Sequence, residues 1–232
     1  MLTLFKTLTE KDKGSAIENL VGSSTPRQDF FLMVILSILM ATFGLLVNSS
    51  AVIIGSMLIA PILYPILSLS LGIVLSDAKL IARSFYTLLK SLAFGIAGSA
   101  VVTMFFSSKF EMTSEIMART QPSLIYAAIA VVAGLAASFA LVKPQLSETL
   151  PGIAISVALI PPMAVTGIGI ARFDWNIISN SFLLFLINAV GIVFSSMIVF
   201  SLMNFYLRRQ VAQDTLKKED ADLEKEKLAA QE

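Results

Sequence analysis

Four long stretches of this chain carry no charged side chain: those between Asp29 and Asp77, Arg119 and Lys143, Glu148 and Arg172, and Asp174 and Arg208. A bilayer core takes roughly 20 predominantly apolar residues per helix. The apolar runs therefore predict six spans, near 30–48, 49–75, 82–107, 123–142, 150–171 and 181–206. The second run is too long for one straight span and fits two half-helices meeting at Ala60-Pro61-Ile62-Leu63-Tyr64-Pro65. The fifth divides at Ile160-Pro161-Pro162.

The prolines sort by depth. Pro26, Pro122, Pro144 and Pro151 stand at or near span entrances, where proline suits a first helical turn. Pro61, Pro65, Pro161 and Pro162 fall near span centres, where each removes a helix hydrogen bond and opposes the preceding carbonyl. Lipid cannot satisfy backbone groups freed at mid-depth, so such breaks survive only when buried in protein or facing a wet cavity. The central prolines either frame a functional cavity or mark kinks repaired by neighbouring helices.

Ile53, Ser56 and Pro61 recur one hundred positions later as Ile153, Ser156 and Pro161. Divided as 30–107 and 124–206, each half reads as a plain helix, a broken helix and another helix. Three spans is an odd number, so the second half enters from the opposite side, as in the inverted repeats of secondary transporters. The expected fold is an all-α integral membrane protein of about six transmembrane helices in a 3+3 inverted repeat, its second and fifth helices broken by proline. Outside the two repeats lie an amphipathic leader (1–29, with Leu2, Phe5 and Leu8), an external loop (108–123) and a charged tail (207–232).

Composition agrees with a bilayer-embedded chain: 56% of residues are hydrophobic and 14% charged, against about 25% charged in soluble domains. Cysteine and histidine are absent, which removes thiol chemistry and the usual zinc, copper or haem ligands. No cofactor, metal or enzymatic activity is expected, and the formal net charge of +1 gives no footprint for nucleic acid. Lys6, Lys11, Lys13, Arg27, Lys79, Arg83, Lys143 and the basic tail residues fall on one side, against Lys109, Arg119 and Arg172 on the other. The positive-inside bias predicts an inner-membrane, multi-pass protein with both termini cytoplasmic.

Four motifs stand in order: Asn48-Ser49-Ser50-Ala51-Val52-Ile53-Ile54-Gly55-Ser56-Met57-Leu58-Ile59-Ala60-Pro61, Arg119-Thr120-Gln121-Pro122, Leu150-Pro151-Gly152-Ile153-Ala154-Ile155 and Leu159-Ile160-Pro161-Pro162, followed by Phe185-Leu186-Ile187-Asn188. Together they resemble the uncharacterised hydrophobic membrane-protein family catalogued as domain of unknown function 389, over roughly residues 30–206. The resemblance implies a polytopic membrane protein of prokaryotic type and supplies no activity.

Candidate site residues follow from the breaks. Ser56 and Ser156 lie five positions before the first central proline of each half. Their hydroxyls either join the carbonyls freed near Ala60, Pro61, Pro65, Ile160, Pro161 and Pro162 in holding a small ion or polar solute, or bond their own helices. Asn188 must find partners inside the protein and either binds solute or ties helices together. At the outer entrance, Asn48 reads as a turn residue, Thr120 as an N-cap, and Arg119 either attracts anions or pairs with Glu115. Lys90 either marks a functional intramembrane charge or snorkels to the headgroups. No carboxylate occupies mid-span, so a proton relay has no residue to use. The expectation is a transporter or channel for a small ion or polar solute, forming a homo-oligomer in the lipid bilayer. The alternative is a structural or regulatory component that assembles with itself or a partner through the small-residue face Ala130, Gly134 and Ser138.

Overall fold

The computed structural model describes residues 9–106, 112–143, 146 and 159–229, and the regular structure among them is entirely helical. Helix α1 (Glu10–Ser23) starts at a capping box: the Thr9 hydroxyl accepts from the Asp12 amide at 3.2 Å while the Asp12 carboxylate accepts from the Thr9 amide at 3.0 Å. Its Ala16, Ile17, Leu20 and Val21 are buried at helical spacing. The leader is thus a helix from Glu10 onward, while Leu2, Phe5 and Leu8 lie outside the described residues.

Helix α2 (Gln28–Leu46) and helix α3 (Ser50–Ile59) form a tight hairpin. Asn48 takes the left-handed conformation, φ 56°, which asparagine tolerates better than most residues, and the Ser49 amide donates to the Gly44 carbonyl at 2.8 Å. A Cβ on Gly44 would sit 2.8 Å from Ile53 Cγ1, so glycine allows the two helices to close. Helix α3 stops where the sequence predicts: Pro61 excludes the helical region for the residue before it, and Ala60 is extended at ψ 124°. Helix α4 (Leu63–Leu75) restarts two residues later with its axis bent by 49° from α3. Pro65 lies in its first turn, where a missing amide costs little.

Helix α5 (Ala78–Phe106) follows, then a short α6 (Ser114–Ala118), α7 (Leu124–Val142), α8 (Ile160–Arg172) and α9 (Trp175–Leu202). A 3-10 turn (Phe205–Arg208) leads into α10 (Arg209–Ala229). Among the described residues four helices, α2, α5, α7 and α9, are long and apolar enough to cross a membrane, and the bent α3/α4 pair makes a fifth if it is one span. Thr120 is not the cap of α7, as its place before Pro122 predicts. Its hydroxyl bonds back to the Met117 carbonyl at 2.8 Å, and Ser123 occupies the N-cap position.

Two helix hairpins in the chain have the same construction. Helices α4 and α8 are each 13 residues long. Each ends in a left-handed residue, Ser76 or Phe173. An aspartate then turns the chain: the Asp77 amide reaches the Gly72 carbonyl and the Asp174 amide the Gly169 carbonyl, both at 3.0 Å. The Asp77 and Asp174 carboxylates accept from the first turns of α5 and α9. Gly72 and Gly169 each lie within 3.1 Å of the next helix's backbone amide, that of Ile81 and Ile178, measured from where a Cβ would stand. Seven positions after each aspartate a buried hydroxyl joins the two arms, Ser84 to Ser68 and Ser181 to Thr166, both at 2.9 Å. Apart from the partner hydroxyls Ser68 and Thr166, which stand 98 positions apart, this correspondence is offset by 97 positions and pairs Pro65 with Pro162, whereas the Ile-Ser-Pro identities pair Pro61 with Pro161 across one hundred. The caps set the register because they fix where each helix begins, and short apolar identities do not.

Helix α8 is buried along Ile160–Gly169 among α2, α5 and α9. The Ser99 hydroxyl donates to the Ala164 carbonyl at 2.6 Å, and a Cβ on Gly167 would meet the Ile96 carbonyl at 2.5 Å. Helices α7 and α9 cross as closely: a Cβ on Gly134 would stand 2.8 Å from Ile192 Cα, and one on Gly191 would stand 2.8 Å from Ala130 Cβ. The face Ala130, Gly134 and Ser138 is therefore used inside the chain, not left for assembly, since all three residues are buried there. Helices α1 and α10 pack together beside α4, on the face that also carries the start of α2 and the α4–α5 turn. We refer to it as the terminal face. The α2–α3 turn and α6 form the opposite face, joined where Thr113 donates to the Leu45 carbonyl at 2.9 Å and Asn48 Oδ1 accepts from Ser114 and the Glu115 amide.

Candidate functional site at the broken helix

The bend between α3 and α4 lies beside a cavity of about 390 Å³ lined by Pro61, Tyr64, Met33, Thr25, Arg27 and Asp29, among others. It sits between the α1–α2 linker, the first turns of α2 and the restart of the broken helix. Both signs of charge are present in its wall, together with the Thr25 and Tyr64 hydroxyls, and Phe30 and Met33 supply apolar surface. Such a lining accepts a small polar or ionic solute without demanding one sign of charge.

Of the residues predicted from sequence, Pro61 lines this cavity and Ala60 is the extended residue that starts the bend. Pro65 is buried within α4. Ser56 is buried and outside the lining: its hydroxyl donates to its own helix at the Ile53 carbonyl, 2.6 Å, and its carbonyl accepts from Ser37 Oγ, also at 2.6 Å. Ile160, Pro161 and Pro162 form the buried first turn of α8, where both prolines are tolerated. Asn188 is buried in α9. Ser156 and the Leu150–Ile155 motif lie outside the described residues. At the opposite face Arg119 pairs with Glu115, which also accepts from the Ser50 hydroxyl, and Asn48 serves as turn and clasp. Lys90 lies 4.4 Å from the Phe31 ring centroid and 5.5 Å from that of Phe94, a cation–π setting that holds the ammonium on α5.

Sequence reasoning passed over Thr25, Arg27, Asp29, Met33 and Tyr64. Arg27 and Asp29 read there only as charges flanking the first span, and Tyr64 only as part of the break. Nothing in their spacing brings the start of one helix beside the middle of the next. The hairpin does that, by running α3 back along α2 so that Ser56 meets Ser37 and Pro61 comes beside Met33.

The terminal face is held by charges. Arg27 donates to Glu219 at 2.9 Å and Thr25 to the same carboxylate at 3.1 Å. Arg83 and Lys79 bind Asp220 at 3.0 and 2.5 Å. Asp77 accepts from the Leu80 amide at 3.0 Å and from Gln213 at 2.9 Å, with Arg209 at 3.7 Å. Burial raises the Asp77 pKa, but the hydrogen bonds from Leu80 and Gln213 and the charge of Arg209 together hold it below the usual carboxylate range. A carboxylate with a depressed folded pKa contributes stability above its unfolded value and loses it as the pH falls through the folded value. Acidification below the usual carboxylate range should therefore loosen α10. The thermal midpoint in detergent, followed from pH 7 downward, should fall less steeply for Asp77→Asn than for the parent chain. Identical slopes would show that Asp77 takes no part.

Comparison with known proteins adds a family and no activity. A chain from Methanocaldococcus jannaschii, described as an uncharacterized protein, is 35% identical over 170 residues, which cover 73% of this chain and 52% of that one. The present chain thus spans about half the length of the curated relative it matches. No solved structure matches. The family model of domain of unknown function 389 (DUF389) matches residues 57–194, from the end of α3 to the middle of α9, and the chain belongs to that family.

Proposed function

We propose that this chain is a membrane protein that passes a small ion or polar solute, as a transporter or passive channel, by way of the bend between α3 and α4. The observation that carries the reading is that bend: a 49° break in an apolar helix pair long enough to span, beside a cavity whose lining includes Arg27, Asp29 and a tyrosine. Freed backbone groups at such a place need protein or water to satisfy them. The inverted 3+3 repeat of six crossings belongs to the same proposal. It is supported by the matched hairpins α4/α5 and α8/α9 and by the plain helices α2 and α7 that precede each half, 19 residues apiece. The lysine and arginine distribution favours the cytoplasm as the side of the terminal face, in an inner membrane.

The assembly reading draws on one observation, the dry packing of Ser56. Its former main argument has gone, since the small-residue face of α7 is occupied by α9. Flux into reconstituted vesicles separates the two. Across a panel of small anions, zwitterions and monovalent cations, at least one should cross with the parent chain. Met33→Trp, which fills the cavity wall, should cut that flux about tenfold or more, as a blocked path requires. Val132→Trp, on an exposed part of α7, should not. A parent chain inactive across the whole panel, or a flux indifferent to Met33→Trp in a folded protein, would leave assembly as the better account.

A further inference from the structure

The C-terminal helix presents one face to the membrane domain, and that face is set by spacing. Arg209, Gln213, Leu216, Glu219 and Asp220 follow one another at helical intervals. On the same helix Ala212 and Leu216 are the buried apolar anchors, too few to hold a helix of 21 residues by burial alone. The remaining attachment is ionic. Glu219 and Asp220 are adjacent and grip different parts of the molecule: Glu219 takes Arg27 and Thr25 in the α1–α2 linker, and Asp220 takes Arg83 and Lys79 in the first turns of α5. Arg83 closes the ring by donating to the Thr25 hydroxyl. Glu219 and Arg83 are sheltered from solvent, 14% and 10% exposed, while Arg27 at 34%, Asp220 at 38% and Lys79 at 62% lie more open.

The linker that Glu219 holds is also the wall of the cavity at the bend. Thr25 and Arg27 belong to both. So does Gly22, where a Cβ would stand 3.4 Å from Glu219 Oε1. The position of that wall relative to Tyr64 and Pro61 therefore depends on tail carboxylates, chiefly Glu219 and Asp220, with Glu226 a more distant partner of Arg27 at 3.8 Å.

We propose that α10 is an ionic latch: through Glu219 and Asp220 it holds the α1–α2 linker over the cavity beside the broken helix, and its release opens the cavity from the terminal face. The proposal rests on the reading of the bend as a passage and assigns its regulation. A latch of this kind responds to anything that competes for the arginines or screens them. Raising ionic strength from 0.1 to 1 M shortens the Debye length from about 10 to about 3 Å.

The chain has no cysteine of its own, so a single introduced thiol reports one place. Tyr64→Cys in this chain, held in nanodiscs that leave both faces open, is treated with a small charged thiol reagent. With the tail intact the labelling should be slow. Adding Glu219→Gln and Asp220→Asn should raise the rate roughly three- to thirtyfold, the span expected from losing two partly sheltered ion pairs. Exchanging the charges, Glu219→Arg with Arg27→Glu, should restore slow labelling, which a general loosening of the fold would not do. Should the neutralised variant fail to fold, 1 M salt on the Tyr64→Cys protein alone should produce the same acceleration. Ser114→Cys, on the opposite face, should label at one rate throughout. Labelling of Tyr64→Cys that ignores both the tail substitutions and salt would overturn the latch even if vesicles conduct. A latch-dependent rate in a chain that conducts nothing would instead overturn the passage and keep the contact.

Discussion

Gly167→Ala is expected to destabilise this protein, while the same substitution at Gly98 stabilises it. A single methyl group at Gly167 would meet the Ile96 carbonyl at 2.5 Å and Ser99 Cβ at 2.6 Å, where α8 crosses α5. The Ile96 carbonyl cannot rotate away, and the Ser99 side chain is committed to the Ala164 carbonyl. Overpacking of this kind costs about 1–3 kcal/mol. Gly98 has nothing within 4 Å of the same atom, so alanine there brings only its better helix propensity, about 1 kcal/mol. At about 2–4 °C per kcal/mol for a chain of this size, the two variants should move the thermal midpoint in opposite directions and differ by several degrees. Gly134→Ala should follow Gly167→Ala, because Ile192 Cα and its carbonyl stand at 2.8 and 3.0 Å. Equal midpoints for the Gly98 and Gly167 variants would mean that α8 does not lie against α5 as described.

The second large effect concerns sidedness and is close to all-or-none. Cysteine at Ser114, exposed beside the α2–α3 turn, and cysteine at Lys217, whose side chain is 76% exposed on α10, should label from opposite sides of sealed vesicles or cells. An odd number of crossings must separate them if the described halves form an inverted repeat. The positive-inside bias predicts that Ser114 labels from outside. Labelling of both from one side would remove the inverted repeat. Labelling from opposite sides with Lys217 outside would keep the repeat and reverse its orientation.

The sequence by itself determined the parts of this protein whose physics is local. Charge-free runs marked α2, α7 and α9, because no charged group tolerates the bilayer core without a partner, and the apolar run from residue 82 marked α5. Pro61 determined the end of α3, since the residue before proline is kept out of the helical region whatever surrounds it. Asn48 read as a turn and is one. Thr120 was misread because a hydroxyl near a helix start has two acceptable partners, and which is chosen depends on where the short α6 ends. The tertiary structure decided what depends on closure between distant segments. It turned Ser56 inward to Ile53 and Ser37, buried Ala130, Gly134 and Ser138 within the chain, and gave the α4/α5 and α8/α9 hairpins the same Asp77 and Asp174 caps at an offset of 97 positions. It also brought Arg27 and Asp29 beside Pro61 and joined Arg27 to Glu219. Helix ends and apolar spans are settled within a short stretch of chain, but a cavity wall assembled from residues 25, 33 and 64 exists only once α3 has folded back on α2.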